Sequence, residues 1–256
     1  MAVLWEKKQD DVLYQVRSAG STRRLYTNGV FHSQYNPNQL LTGGVWDLLL
    51  TPAFFYAPGS IRRVLVLGVG GGAVIQQLRH YVWPDEIVGI ELNPFHLYVA
   101  RRFFDIPNHG IKLVESDAVL WLKQYRGPKF DMIIDDLFGG DDSGEPVRAV
   151  SMTTSWSRLL LKHLSRDGML VANFISPKEL RESACVSNPA VANRFTTAYQ
   201  LTNMLEENAV GAFFRQPTTP RKIGEYLECL PRLRRAWERG ELVSVIRKIK
   251  LNQSRQ

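Results

Sequence analysis

The chain has 256 residues and a mass of 29.2 kDa, enough for one substantial domain or for one domain with a small appendage. With 45% hydrophobic and 22% charged residues it is neither a disordered nor a collagen-like chain, and no apolar run reaches the length of a membrane span. A net charge of +7 invites a nucleic-acid reading, so the position of the excess matters, and the two cysteines, Cys185 and Cys229, have no metal-ligand spacing.

The chain opens on Met1-Ala2-Val3-Leu4-Trp5-Glu6-Lys7-Lys8, without a basic region followed by an apolar stretch. The expectation is a cytoplasmic protein with reduced thiols and no metal. Residues 10–35 read as two or three short antiparallel strands: Val12, Tyr14 and Val16 alternate with polar residues, and turn clusters stand at Ser18–Thr22 and Asn28-Gly29. Residues 37–58 read as a ragged helix closed by Pro58-Gly59.

The pattern then changes. Val64-Leu65-Val66-Leu67 is a short continuous apolar run that ends in Gly68-Val69-Gly70-Gly71-Gly72-Ala73, and an amphipathic helix follows. Ile87–Ile90 ends at Glu91, Ile111–Val114 precedes Ser116-Asp117, and Phe130–Ile134 ends in Asp135-Asp136. A helix around Trp156–Leu161 leads to a fifth run, Gly168–Ala172. Buried strands separated by helices predict βαβ units, hence an α/β chain with a mostly parallel sheet covered on both faces. Beyond residue 176 the expectation is a helix over 190–207, a strand over Val210–Arg215 and a final antiparallel strand over Leu242–Ile249.

Residues 215–256 hold 11 Lys and Arg against 4 Glu, whereas the preceding residues carry 21 basic and 21 acidic side chains. The whole excess therefore lies in a C-terminal segment. It contains no Gly-Arg repeat and no base-reading module, so it reads as a solvated face and not as a specific nucleic-acid reader.

Every candidate site residue sits at the carboxyl end of a strand, where ligands bind open α/β sheets. Gly68, Gly70, Gly71 and Gly72 form a turn that lets a backbone approach a ligand, in front of free helix N–H groups. With Glu91 about twenty residues on, this spacing is compatible with NAD or with an adenosyl cofactor; a tight turn without a ligand is the plain alternative. Glu91 can accept ribose hydroxyls. Asp117 can accept from an adenine amino group or simply cap the next helix. Asp136 faces the reactive end of a cofactor laid across the first three strands and can take a proton from an amine. Asp135, Asp141, Asp142 and Glu145 surround it as an acidic stretch that can attract a cationic substrate or remain solvated.

In combination, the glycine run, Gly89-Ile90-Glu91-Leu92-Asn93-Pro94, Glu115-Ser116-Asp117-Ala118 and Asp131–Asp136 resemble the spermidine synthases and their relatives. Thr27-Asn28-Gly29-Val30-Phe31-His32 resembles the strand segment before their Rossmann-like domain. The resemblance implies a class I methyltransferase-type sheet over 59–256 with the basic segment at its end, a small N-terminal β-domain with a connecting helix over 1–58, and a homodimer. It implies that the glycine turn and Glu91 hold the methionine-like end and the ribose, that Asp117 holds the adenine, and that Asp136 deprotonates an attacking amine. His32 stands where the family has a cofactor-contacting glutamine.

Three departures bear on the chemistry. The family's acid within the glycine turn is Gly71 here, its second acid after the catalytic one is Gly139, and its Tyr-His pair is replaced around Leu40-Leu41-Thr42-Gly43. An acid at position 71 would lie beside the carboxylate of intact S-adenosylmethionine, at an expense of several kcal/mol. The expected activity is therefore methyl transfer from S-adenosylmethionine to a small acceptor, an amine being one option. Aminopropyl transfer from decarboxylated S-adenosylmethionine, a non-catalytic dimeric nucleoside-binding module and an NAD oxidoreductase are the alternatives.

Overall fold

The computed structural model describes residues 1–140, 146–204, 207–242 and 244–253. It opens with β1 (Ala2–Gln9), β2 (Val12–Ala19), β3 (Thr22–Thr27) and β4 (Val30–Tyr35), an antiparallel meander. The expected two or three strands become four. The extra one is β1, a charged edge strand that is exposed almost throughout and is held by pairing with β2 rather than by an apolar face. Val16, Leu25 and Tyr35 turn inward.

The expected helix over 37–58 is only α1 (Val45–Leu50), followed by a 3-10 turn at Thr51–Phe55. Gly43-Gly44 delays its start, and the turn carries Pro52 in its first positions. The Asp47 carboxylate in α1 accepts from the backbone N–H groups of Thr42 and Gly43 and from Gln77 Nε2, which seals the preceding loop. Leu48, Leu49, Leu50, Phe54 and Phe55 pack into the core of the large sheet, so in packing terms this connecting segment belongs with that sheet.

The large sheet is built from β5 (Arg63–Leu67), α2 (Ala73–Tyr81), β6 (Glu86–Glu91), α3 (Pro94–Phe103), β7 (Ile111–Glu115), α4 (Ala118–Gln124) and β8 (Phe130–Asp135). A short hairpin of β9 (Phe138–Gly140) and β10 (Pro146–Arg148) follows, then α5 (Thr154–His163) and β11 (Leu164–Phe174). Three short helices come next: α6 (Pro177–Glu182), α7 (Ala184–Ser187) and α8 (Pro189–Ala192). The chain finishes with β12 (Thr197–Thr202), β13 (Ala209–Phe214), α9 (Arg221–Glu228), α10 (Pro231–Glu238) and β14 (Val245–Lys248).

Among the described residues, eight strands lie in the order β14-β12-β13-β11-β8-β5-β6-β7. β11, β8, β5, β6 and β7 run parallel, and β13, β12 and β14 add antiparallel pairings. This is the expected α/β Rossmann-like sheet. Alternate residues face opposite layers: Val64, Val66, Met132 and Ile134 meet α1, α2, α9 and α10, whereas Leu65, Leu67 and Ile133 meet α4, α5 and α6–α8.

The predicted helix over 190–207 fails after Ala192. Thr197-Ala198-Tyr199-Gln200-Leu201 is rich in β-formers, and it enters the sheet because β13 and β14 both offer it backbone partners. Strand order reverses between β5 and β8, which opens a crevice at their carboxyl ends. No helix among the described residues is long and apolar enough to cross a membrane.

Candidate functional site

The glycine turn leaves β5 directly beside the end of β8. Gly68 has φ +83°, and a Cβ on it would lie 2.2 Å from the Asp136 carbonyl oxygen. Only glycine permits both the backbone conformation and that approach. Asp136 N–H in turn donates to the Leu67 carbonyl at 2.9 Å. Gly68 and the Asp136 backbone are thus locked together at the switch point of the sheet.

Glu91 ends β6 and is 9% exposed. Its Oε2 accepts from the N–H groups of Val69 and Gly70, both at 2.9 Å, and its Oε1 accepts from Asn93 N–H at 2.9 Å. His96 Nδ1 lies 3.7 Å from Oε1. Burial pushes the carboxyl up, but the His96 ring and the N–H donors of Asn93 and Gly70 outweigh it, so Glu91 titrates below its ordinary value. Glu91 therefore shapes the glycine turn from beneath. A ribose hydroxyl would compete with His96 for the free side of Oε1.

His32 on β4 packs against His96, with ring centroids 4.9 Å apart and the rings tilted by 50°, and the His32 carbonyl oxygen lies 3.2 Å from where a Cβ on Gly70 would stand. Burial, helped by His96 and opposed by Glu91, lowers the His32 ring to about 4. It is neutral at pH 7. Asp117 is the N-cap of α4 and accepts from Leu120 N–H at 2.8 Å, so the capping role is real; the second oxygen has no partner among the described residues. Leu92 and Leu120, 69% and 57% exposed, leave apolar surface next to the two acids. The residues present fit a nucleoside: two carboxylates with acceptor capacity, a backbone turn that approaches closely, and apolar faces for a base.

Asp136 differs from the other acids. Burial raises its carboxyl to about 6; Asn173 lowers it, Asp135 raises it, and smaller contributions come from Arg148 (lowering) and Glu91 (raising). Asn173 Nδ2 donates to Asp136 Oδ1 at 2.8 Å, and Asn173 Oδ1 accepts from Asn208 Nδ2 at 3.0 Å. These two asparagines were not among the expected site residues. The available signal was Asn173 as the polar interruption of the apolar run Met169–Phe174.

Asp135 corrects the expectation of a substrate contact. It is fully buried, and its Oδ2 accepts from Arg148 Nη2 and Trp156 Nε1, both at 2.8 Å. Arg148 also donates to the carbonyls of Asn173 and Val150, and its guanidinium lies 5.1 Å from the Phe174 ring centroid. The acid is committed to holding the β9–β10 hairpin against β11. Asp141, Asp142 and Glu145 lie outside the described residues.

Two of the glycine departures separate. A Cβ on Gly71 would meet the Phe104 ring at 2.4 Å, so glycine stands there because Phe104 fills the space. The expected preference for intact S-adenosylmethionine, which rested on that glycine, loses its basis: packing explains the missing acid without any ligand. A Cβ on Gly139 would meet nothing within 4 Å. Leu41, near the position of the family's Tyr-His pair, is buried in the core.

The profile of the spermine/spermidine synthase domain family matches residues 49–210. The chain is 29% identical over 137 residues to the polyamine aminopropyltransferase of Vibrio vulnificus, an overlap that covers 52% of this chain and 44% of the relative. It thus spans less than half the length of that curated relative. In fold it is similar to a probable spermidine synthase from Corynebacterium glutamicum, with TM-score 0.70, 18% identity and coverage of 89% and 88% of the two chains. It is also similar to human methyltransferase-like protein 13 in complex with SAH, with TM-score 0.52, 17% identity and coverage of 75% and 90%. At these identities the two structures bear on the fold alone.

Proposed function

We propose that this chain, which belongs to the spermine/spermidine synthase domain family, transfers an aminopropyl group from decarboxylated S-adenosylmethionine to a cationic amine acceptor. The observation that carries the reading is the Asp136 carboxylate, whose backbone is fixed against Gly68 at the switch point and whose titration is raised to about 6. An amine must lose a proton to attack, and a carboxyl with that pKa is ionised at pH 7 yet basic enough to share the proton in the transition state.

The acceptor nitrogen bonds to the aminopropyl carbon as the carbon–sulfur bond breaks. The sulfonium leaves as the neutral thioether methylthioadenosine, and the acceptor proton passes to Asp136. Asn173 keeps the carboxylate aimed, and the neutral His32 ring adds no positive charge beside a sulfonium. Glu91 and Asp117 would hold ribose and adenine. A homodimer working in the cytoplasm is part of the same proposal. That relatives of this chain are named polyamine aminopropyltransferases supports this reading over the methyl transfer expected at first.

Methyl transfer from S-adenosylmethionine is the second reading, favoured by one observation: no acid stands at Gly139, although a side chain there would have room. Calorimetric titration with decarboxylated S-adenosylmethionine, S-adenosylmethionine, methylthioadenosine and NADH, paired with product analysis on diamine acceptors, separates the two. Tighter binding of the decarboxylated form with release of methylthioadenosine is expected. Tighter binding of S-adenosylmethionine with release of S-adenosylhomocysteine would replace the proposal by methyl transfer. Nucleoside binding without any transfer would leave a binding module.

A further inference from the structure

A cavity of about 770 Å³ opens at the opposite edge of the sheet, where Ile87 begins the buried part of β6 and Ile111 begins β7. It is remote from the glycine turn, which lies at the carboxyl ends of the same strands. Its walls combine the last turn of α2 with α10, the helix that carries Arg232, Arg234 and Arg235 of the basic C-terminal segment. The proposed transfer gives this surface no task.

Charge around the cavity is unbalanced in a specific way. The two acids in its lining are already paired, Asp85 with Arg62 and Glu241 with Arg239, each at 2.6 Å. Arg79 on α2 and Arg232 on α10 have no hydrogen-bond or ion-pair partner among the described residues, and both act electrostatically on His80, which shares the lining with them. A cation at the C-terminus of α2 is expected from the helix dipole alone. A second one, brought from a different helix onto the same cavity, is not.

Trp83 supplies the independent observation. It stands just past the end of α2 with φ +53°, the left-handed conformation usually left to glycine at a helix end, and its N–H donates to the Leu78 carbonyl at 3.1 Å. A bulky residue is strained there, yet its indole is 56% exposed at the cavity rim and gains little from burial. The strained turn instead sets a flat aromatic face on the rim of the same cavity that the two unpaired guanidinium groups line.

We propose that this cavity binds a phosphorylated ligand carrying a flat ring, of the mononucleotide class, with Arg79 and Arg232 on the phosphate and Trp83 stacked on the ring. The test is calorimetric titration of the full chain with AMP, adenosine and inorganic phosphate, in the presence of excess methylthioadenosine so that AMP is kept from the carboxyl-end crevice. AMP should bind more tightly than either fragment. The double variant Arg79→Gln/Arg232→Gln should weaken it at least tenfold. Trp83→Gly should bring AMP down to the level of phosphate while raising the thermal midpoint, because the strain is relieved. Both arginines are exposed, so circular dichroism should show the double variant folded. Absence of AMP binding, or binding undiminished in the double variant, would overturn the site. Phosphate binding as tightly as AMP would overturn the nucleotide assignment.

Discussion

Asn173 Nδ2 donates a 2.8 Å hydrogen bond to Asp136 Oδ1, joining the ends of β11 and β8 at one side of the crevice. The amide has only one way to face, because its oxygen accepts from Asn208 at 3.0 Å. The strongest titratable candidate in the site is therefore oriented by two neutral amides from later in the chain, one on β11 and one just before β13.

Removing that donor should move the titration of Asp136. The Asn173 N–H stabilises the ionised carboxylate, so Asn173→Ala should raise the Asp136 carboxyl above its present value of about 6, by about 1–2 pH units for a lost charge-assisted hydrogen bond. Carbon-detected NMR titration of the Asp136 carboxyl reads this directly. The acidic limb of the pH–rate profile for transfer should move the same way. A titration that stays near 6 would show that the bond does not govern the charge.

Asp136 should also weaken the fold at neutral pH. Its folded value of about 6 lies above the ordinary 3.8, so between about pH 4 and 6 the native state keeps a proton that the unfolded chain has released, and above that range it must ionise a carboxyl that burial disfavours. Stability from this group falls as pH rises from about 4 to 6 and stays low above that. Asp136→Asn should therefore gain up to about 3 kcal/mol at pH 7.5, with little gain at pH 4, while losing transfer. Urea unfolding at the two pH values measures it; an equal effect at both would rule out the carboxylate as the cause.

Gly71→Asp should destabilise the protein instead of changing its cofactor preference. The new Cβ would start 2.4 Å from the Phe104 ring, and overpacking of a core typically costs about 1–3 kcal/mol. A lower thermal midpoint is expected, with partial recovery in Gly71→Asp/Phe104→Ala. A fully stable Gly71→Asp variant would mean that Phe104 moves freely and that the glycine has another cause.

Arg148→Met should be among the more damaging single changes. It leaves the fully buried Asp135 carboxylate with Trp156 Nε1 and a long 3.5 Å bond from Leu137 N–H as its donors, and breaking a buried pair costs about 3–5 kcal/mol. Adding Asp135→Asn should restore part of the loss, since a neutral amide tolerates the site. Chemical denaturation of the single and double variants measures the coupling; additive losses would refute it.

Several features could be read without any structure. The runs Val64–Leu67, Ile87–Ile90, Met132–Ile134 and Gly168–Ala172 are continuously apolar because strands covered on both faces have no solvent side to mark. Their strand ends placed Gly68, Glu91, Asp117 and Asp136 at the same edge, and the late strands β13 and β14 fell close to their expected positions. β1 and β12 were not legible in this way. Lys7 and Lys8 hide an edge strand whose hydrogen bonds come from β2, and Thr197–Thr202 takes its strand state from partners on both sides.

By itself the sequence determined the class of the fold, the crevice and the acids along it, because local periodicity and chain-order spacing are written in consecutive residues. Which acid does which work was decided only in three dimensions. Asp135 and Asp136 are neighbours in the chain, but strand alternation sends one into the core against Arg148 and Trp156 and the other to the crevice under Asn173. Gly71 is a glycine because Phe104, 33 positions on, fills its side-chain space. Partners that distant meet only when the sheet and its helices close, since charge, protonation and free volume belong to the packed assembly and not to any segment of it.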